Sequence, residues 1–199
     1  VYPTPESGER PYTDVLDTAT SSIDVAIYLM GYGGILDRLE AKARAGVTVR
    51  VILDGGQTDT NQKYFDRLTT AGAQVKWSNP QFSYFHNKYF VVDGQVAVLS
   101  TGNYSKQYSI DLERNFAVVD RDAADVADLH ELFVADWTGA APRLSCTRMV
   151  VSPVNARARI LAVVNGARHT LDIQSMQFAD SEVRNAVRAR VAAGVTVRV

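Results

Sequence analysis

The stretch AGVTVRV occupies Ala45–Val51 and occurs again, unchanged, at Ala193–Val199. Extended backwards without gaps, this register aligns SSIDVAIYLM with HTLDIQSMQF and GILDRLEAKARAG with EVRNAVRARVAAG, and nine of 31 aligned pairs are identical. A short helix-to-strand junction arises easily by chance, but an ungapped match over a helix and two strands does not. The sequence therefore contains an internal repeat with an offset of 148 residues.

Each copy of the repeat predicts a β-α-β unit. A helix with small and apolar residues precedes an apolar run, Ile23–Met30 or Leu171–Phe178, and an amphipathic helix follows that run. Gly46 and Gly194 suit the left-handed backbone position that often ends a helix, and a β-branched strand comes next. A β-α-β unit of this kind implies neighbouring parallel strands.

The first copy continues beyond this unit. The pattern predicts a helix over 57–71, strands over 74–78 and 115–119, and a hairpin of Lys88–Val92 and Val96–Ser100 around Asp93 and Gly94. Asp122 is a predicted cap for a last helix, whereas the opening residues VYPTPESGERP are typical of turns. These elements predict an α/β fold in which a mixed β-sheet has helices on both faces.

The repeat also predicts the domain organisation. Residues 1–137 are interpreted as one complete domain, 138–147 as a linker, and 148–199 as the opening β-α-β part of an incomplete second copy. Because Val199 lies within a predicted core strand, we expect the rest of that copy to be truncated, cleaved or supplied as a separate chain. The polar start at Val1 slightly favours an exported protein, periplasmic or secreted.

Composition excludes several classes of protein. The sequence is 46% hydrophobic and 22% charged, as globular proteins are, and no apolar stretch is long enough for a transmembrane helix. The net charge of −1 argues against a protein that coats nucleic acid. A single cysteine, Cys146, excludes an internal disulfide and a multi-cysteine metal site, and we expect it to be an inert thiol.

The segment FHNKYFVVDG at 85–94 carries the candidate chemistry. His86 and Lys88 project to the same face of an extended strand, next to an apolar run that requires burial. The sequence STGN at 100–103 ends the partner strand and brings Asn103 back towards His86. A lysine ammonium and an asparagine amide are donors suited to phosphate oxygens, and a neutral histidine is a nucleophile or base. Glu113, on the next strand, is the acidic candidate for orienting the imidazole.

The pattern H-x-K-x₄-D, present as His86, Lys88 and Asp93, resembles the phospholipase D superfamily, whose members are known as HKD enzymes. Ser100 and Thr101 replace the usual Gly-Ser before Asn103, which keeps a hydroxyl group. The sequence ERNF at 113–116 replaces the family's usual Asn-Arg-Glu/Asp-Phe, so that either Glu113 or Asn115 is a candidate contact of His86. Asp93 has two readings, a turn-forming or supporting residue and a residue that contacts substrate.

The resemblance implies an α/β/α sandwich and a mechanism without metal or cofactor. One histidine attacks the phosphodiester and forms a phosphohistidine, the histidine of a second motif protonates the leaving alkoxide, and water or an alcohol releases the product. Lysine and asparagine residues of both motifs hold the phosphate oxygens. The chain has one such motif, so the second is expected from a missing half, in the same polypeptide or a separate chain, or from a homodimer.

Three functions follow from this reading. The first is a phosphodiesterase that hydrolyses or transfers the phosphatidyl groups of phospholipids, as a phospholipase D or cardiolipin synthase does. The second is a nuclease of the same superfamily, which the near-neutral charge disfavours. The third, suggested by the single motif, is an inactive half-protein that serves as a binding or assembly module.

Aromatic residues before the motif are interpreted either as core or as the lining of a substrate entrance: Trp77, Phe82, Tyr84 and Phe85.

Overall fold

A computed structural model of the chain describes residues 1–105, 110–144 and 147–199. These residues divide into two compact units, Val1–Thr147 and Arg148–Val199. The first unit carries the HKD motif, and the second contains the second copy of the repeat. None of the helices in the described ranges has the length and apolarity that crossing a bilayer requires.

The first unit contains a seven-stranded mixed sheet. Its strands are β1 (Tyr2–Thr4), β2 (Ser22–Ile27), β3 (Thr48–Leu53), β4 (Gln74–Trp77), β5 (Lys88–Val92), β6 (Val96–Ser100) and β7 (Asn115–Asp120). The spatial order is β1-β7-β6-β5-β2-β3-β4. The pairs β2–β3 and β3–β4 are parallel, and the remaining pairs are antiparallel. The predicted mixed sheet is therefore confirmed.

Helices cover both faces of this sheet. They are α1 (Arg10–Asp17), α2 (Gly33–Arg44), α3 (Thr58–Thr70) and α4 (Ala123–Thr138), and a short 3-10 helix, Gly55–Gln57, precedes α3. The first three helices pack their apolar residues on the face that carries Val25 and Phe90. Helix α4 packs on the other face, where Arg50 lies over the Phe133 ring at 5.0 Å. Strands β2 and β5 are buried almost throughout, as central strands covered on two sides must be.

Two sequence expectations are wrong in detail. The opening residues form the edge strand β1, in which Pro3 lies opposite Phe116 of β7, because a proline is tolerated where one side of a strand needs no donor. The run Leu171–Phe178 is a strand only at Thr170–Asp172, designated β8. Its counterpart β2 pairs with a strand on each side, whereas β8 has one neighbouring strand among the described residues. The residues after Asp172 therefore lack a second strand with which to form backbone hydrogen bonds.

The second unit repeats the first β-α-β arrangement. It comprises α5 (Ala156–Gly166), β8, α6 (Ser181–Ala192) and β9 (Thr196–Arg198), and β8 and β9 pair in parallel as predicted. Its core consists of Val164, Leu171, Val187 and Val195. Gly46 and Gly194 have φ angles of +91° and +86°, which confirms the predicted left-handed ends of α2 and α6.

Candidate active site

The candidate site lies at one edge of the first sheet, and the strand directions determine which residues meet there. In the ladder, Ile27 at the end of β2 faces both Leu53 at the end of β3 and Lys88 at the start of β5. The end of β6 and the start of β7 reach the same edge. Polar and aromatic residues at or beside these strand ends include Tyr28, Asp54, His86, Lys88, Asn103 and Asn115.

His86 and Lys88 are in direct contact. The Lys88 Nζ atom lies 3.1 Å from Nε2 of His86 and 3.2 Å from the His86 carbonyl oxygen. An ammonium group can only donate, so Nε2 accepts from protonated Lys88 and the ring proton of a neutral His86 then resides on Nδ1. The lone pair of Nε2 is thereby engaged by the Lys88 ammonium group.

Burial lowers the pKa of both residues of this pair. Lys88 is 7% exposed, and burial lowers its pKa to about 8. Partial burial, and then the charge of Lys88, lower the pKa of His86, while the carboxylate of Asp54 acts in the opposite direction. His86 is therefore mainly neutral near pH 7, the state that a nucleophilic imidazole requires.

Tyr28 forms an aromatic wall beside the pair. Its ring packs edge-on against the His86 ring, with centroids 4.5 Å apart, and Lys88 Nζ lies 5.3 Å from the centre of the Tyr28 ring. This cation–π contact partly compensates the burial of the ammonium group. Burial raises the pKa of Tyr28, and the negative charge of Asp54 acts in the same direction. Tyr28 therefore stays a neutral phenol.

Asn103 follows β6 at the same edge but makes no hydrogen bond to His86 or Lys88 among the described residues. Its Oδ1 atom is buried and has no hydrogen-bond partner among the described residues. The segment before it is fixed, because Ser100 Oγ bonds the Tyr12 hydroxyl at 2.8 Å and accepts the Gly102 N–H at 3.0 Å. Gly102 leaves room for Asn115, since a Cβ at this position would approach the Asn115 side chain to 2.9 Å.

Glu113 makes its contacts elsewhere. Its Oε2 atom accepts a hydrogen bond from Asn115 Nδ2 at 3.1 Å, and Asn115 Oδ1 accepts from Thr101 Oγ1 at 2.9 Å. Glu113 and Asn115 do face the same way, but no hydrogen bond from either to His86 is present among the described residues. The carboxylate of Glu113 therefore orients Asn115 here.

Asp93 lies at the far end of β5, about 20 Å along the strand from His86. Its carboxylate accepts five hydrogen bonds of 2.7–2.9 Å from the backbone and hydroxyl groups of Thr20 and Ser21 and the backbone of Ser22. Burial acts to raise its pKa, but these hydrogen bonds outweigh that effect and lower the pKa of Asp93. With φ at +52°, Asp93 forms the hairpin turn, which favours the reading in which it is a turn-forming or supporting residue.

Sequence reasoning missed Tyr28 and Asp54 as members of this edge. Both lie at an end of a buried strand, the same signal that singled out His86, but one is aromatic and the other precedes two glycines typical of a turn. The aromatic residues before the motif have different environments. Phe85 is 3% exposed, Trp77 stacks on Phe65 with centroids 4.9 Å apart, and Tyr84 is 68% exposed. Cys146 lies outside the described residues.

Comparison with known proteins identifies the family. The family model described as "Cardiolipin synthase, PLD-like domain" matches residues 12–137, more than half of the chain. The chain therefore belongs to the phospholipase D-like family.

Individual relatives agree with this assignment. The chain is 26% identical over 134 residues to a mitochondrial cardiolipin hydrolase of Chlamydomonas reinhardtii, covering 67% of this chain and 59% of that protein. It is 25% identical over 206 residues to a cardiolipin synthase of Clostridium perfringens, covering 83% of this chain and 43% of that protein. The chain thus spans about half the length of these relatives.

A solved structure shares the fold. NUC of Salmonella typhimurium, a phospholipase D family member, superposes with a TM-score of 0.62 at 20% identity, covering 72% of this chain and 95% of that one. At this identity the likeness concerns the fold, and it places the present sheet and its flanking helices among phospholipase D-like structures.

Proposed function

We propose that the first unit of this chain acts on the phosphodiester groups of phospholipids and that His86 is its nucleophile. The observation that carries the proposal is the contact of 3.1 Å between Lys88 Nζ and His86 Nε2, made by a lysine that is 7% exposed. This contact occupies the lone pair of Nε2, so Lys88 transfers its hydrogen bond from Nε2 to an entering phosphate oxygen, which frees that lone pair to attack phosphorus.

The proposed reaction has two steps. The Nε2 lone pair of His86 forms a bond to phosphorus while the bond from phosphorus to the leaving alkoxide breaks, and a second histidine protonates that alkoxide. Water or an alcohol then attacks the phosphohistidine, the bond between nitrogen and phosphorus breaks, and the entering group loses its proton to the second histidine. Lys88 and the amide of Asn103 stabilise the charge on the non-bridging oxygens.

A phospholipid is the favoured substrate for three reasons. The matching family model and both curated relatives are described by cardiolipin chemistry. The net charge of −1 gives little general attraction for a polynucleotide. Two large apolar side chains, Tyr84 at 68% and Leu112 at 75% exposure, belong to loops that lead into β5 and β7 at the site edge, where an acyl chain would arrive.

We further propose that a second HKD face completes the site. The mechanism needs a proton donor for the leaving group, and the first unit offers one histidine at this edge. That donor would come from further polypeptide of the same protein, from a separate chain or from a second copy of the first unit. The exposed side chains of Ile160 and Val163 in α5 are consistent with such an association, because the repeat aligns them with Tyr12 and Val15, which are buried in the first unit.

The test compares His86→Ala with His169→Ala, which removes an exposed histidine of the second unit. Each protein is incubated with phosphatidylcholine vesicles containing labelled cardiolipin and, separately, with a labelled single-stranded oligonucleotide. We expect the parent and His169→Ala to turn over cardiolipin, and His86→Ala to lose at least about 10³-fold in rate. An acid-labile phosphate on the peptide containing His86 should be trapped in the parent.

Three outcomes would contradict the proposal in whole or in part. Undiminished turnover by His86→Ala would remove His86 from the chemistry. Preferential cleavage of the oligonucleotide would replace the lipid substrate by a nucleic acid and leave the role of His86 intact. Absence of turnover of both substrates would favour an inactive module that requires its missing half.

A further inference from the structure

Asp54 is a buried carboxylate with an unused oxygen atom. It directly follows β3 at the site edge and is 2% exposed. Its Oδ1 atom accepts the backbone N–H of Phe85 at 3.0 Å and lies 3.4 Å from the Ser78 hydroxyl. Its Oδ2 atom is buried and has no hydrogen-bond partner among the described residues.

An unpartnered buried carboxylate oxygen is unfavourable unless positive charge nearby compensates it. At this edge, the groups able to carry positive charge are the ammonium of Lys88 and the imidazole of His86. The hydrogen bond to Phe85 fixes the residue directly before His86, so Asp54 acts on the imidazole both through the backbone and through its field. Tyr28 also senses this field, and its raised pKa keeps it a neutral phenol near pH 7.

We propose that Asp54 is the positioning carboxylate of this site: it holds the backbone before His86 and stabilises positive charge on the imidazole during phosphoryl transfer. The inference rests on the proposed role of His86. Glu113, the acidic residue that the motif pattern suggested, is engaged with Asn115.

The chemistry explains why a carboxylate is useful at this position. When Nε2 bonds to phosphorus while Nδ1 keeps its proton, the ring becomes cationic. The neighbouring ammonium of Lys88 opposes that charge, whereas a fixed negative charge favours it. Asp54 therefore offsets the repulsion between Lys88 and the reacting imidazole, and its negative charge counteracts the lowering of the His86 pKa by its other surroundings.

The test replaces Asp54 by asparagine, whose carbonyl can still accept the Phe85 N–H although its charge is gone. The His86 pKa is followed by nuclear magnetic resonance of labelled histidine, with His86→Ala used for assignment. We expect Asp54→Asn to lower the His86 pKa by about half a unit or more. We also expect kcat on cardiolipin vesicles to fall at least about tenfold while KM changes by less than about twofold.

Ser78→Ala is the matched control, because it disturbs the surroundings of Asp54 without removing the charge, and it should leave the His86 pKa near that of the parent. If Asp54→Asn does not fold, Asp54→Ser removes the same charge with a smaller side chain. An unchanged His86 pKa in a folded Asp54 variant would overturn the inference. A shifted His86 pKa in a protein that turns over no phosphodiester would instead overturn the proposed function and leave the electrostatic coupling standing.

Discussion

The internal repeat supplies one ion pair in two environments, and this permits a controlled stability experiment. Asp24 accepts two hydrogen bonds from Arg50, of 2.6 and 2.8 Å, and Asp172 accepts the same two from Arg198, of 2.6 and 2.7 Å. The Asp24 side chain is 2% exposed and that of Asp172 is 57% exposed. Replacing each aspartate by asparagine therefore removes the charge from two equivalent ion pairs, one buried and one exposed to solvent.

The expected losses follow from burial. Asp24→Asn leaves Arg50, whose side chain is 23% exposed, without its charge partner, and removal of one member of a buried pair costs about 3 kcal/mol. The substitution also removes the negative charge that lies 3.1 Å from His130 Nδ1, on Asp24 Oδ2. Asp172→Asn breaks a solvent-exposed pair, and its loss should be far smaller because water and salt screen the charges.

Amide hydrogen exchange measures both effects, since it reports the opening free energy of each strand pair separately. Under conditions in which exchange follows the opening equilibrium, 3 kcal/mol corresponds to roughly a 100-fold loss of protection across β2 and β3, whereas β8 and β9 should change by less than about fivefold in the Asp172 variant. Equal losses from the two substitutions would refute the argument, because burial would then not determine the contribution of the pair.

Two further predictions concern the motif itself. Asp93→Asn should destabilise the first unit without changing kcat per folded molecule. Because the folded pKa of Asp93 is lowered, its charge stabilises the fold above about pH 4, and this contribution is lost as the pH falls through the lowered pKa. Urea unfolding should therefore show a difference from the parent at pH 7 that shrinks at pH 3; a constant difference would contradict this linkage. For Lys88, with a pKa of about 8, kcat/KM should fall as the pH rises through 8, and Lys88→Arg should move this alkaline limb upwards. If the alkaline limb of kcat/KM stays at the same pH in Lys88→Arg, the limb reports the titration of another group.

Much of the fold could be predicted because local patterns and tertiary structure agree. The hairpin strands β5 and β6 have the bounds that the sequence predicts, since both are apolar runs flanked by a turn with positive φ at Asp93 and Gly94. The cap of α4 is also as predicted, because Asp122 accepts the N–H groups of Ala124 and Asp125. Strand β1 could not be predicted, because its three residues gain their structure from β7, more than 100 residues away.

The site was predictable in part for a similar reason. His86 and Lys88 are two residues apart on one strand, so sequence alone predicts that their side chains are neighbours. Asp54 lies at the same edge because β5, β2 and β3 are neighbours in the sheet. The spacing of residues in the sequence does not reveal that strand order. The position of Glu113 shows where the sequence departs from the family pattern. Only the structure shows that the Glu113 carboxylate accepts a hydrogen bond from Asn115. Only the structure shows that the charge of Asp54 acts on the His86 imidazole.

The spacing of the motif corresponds to the length of one strand. His86 and Lys88 stand where β5 begins, and Asp93 stands where it ends, bonded to the residues that start β2. This anchor sets the antiparallel register in which Lys88 faces Ile27. A slip of one residue would turn Lys88 to the opposite face of the sheet, away from Tyr28. Asp93 therefore fixes, from the far end of β5, the register that places Lys88 at the site edge, which explains why a residue that never approaches the imidazole belongs to the same sequence motif.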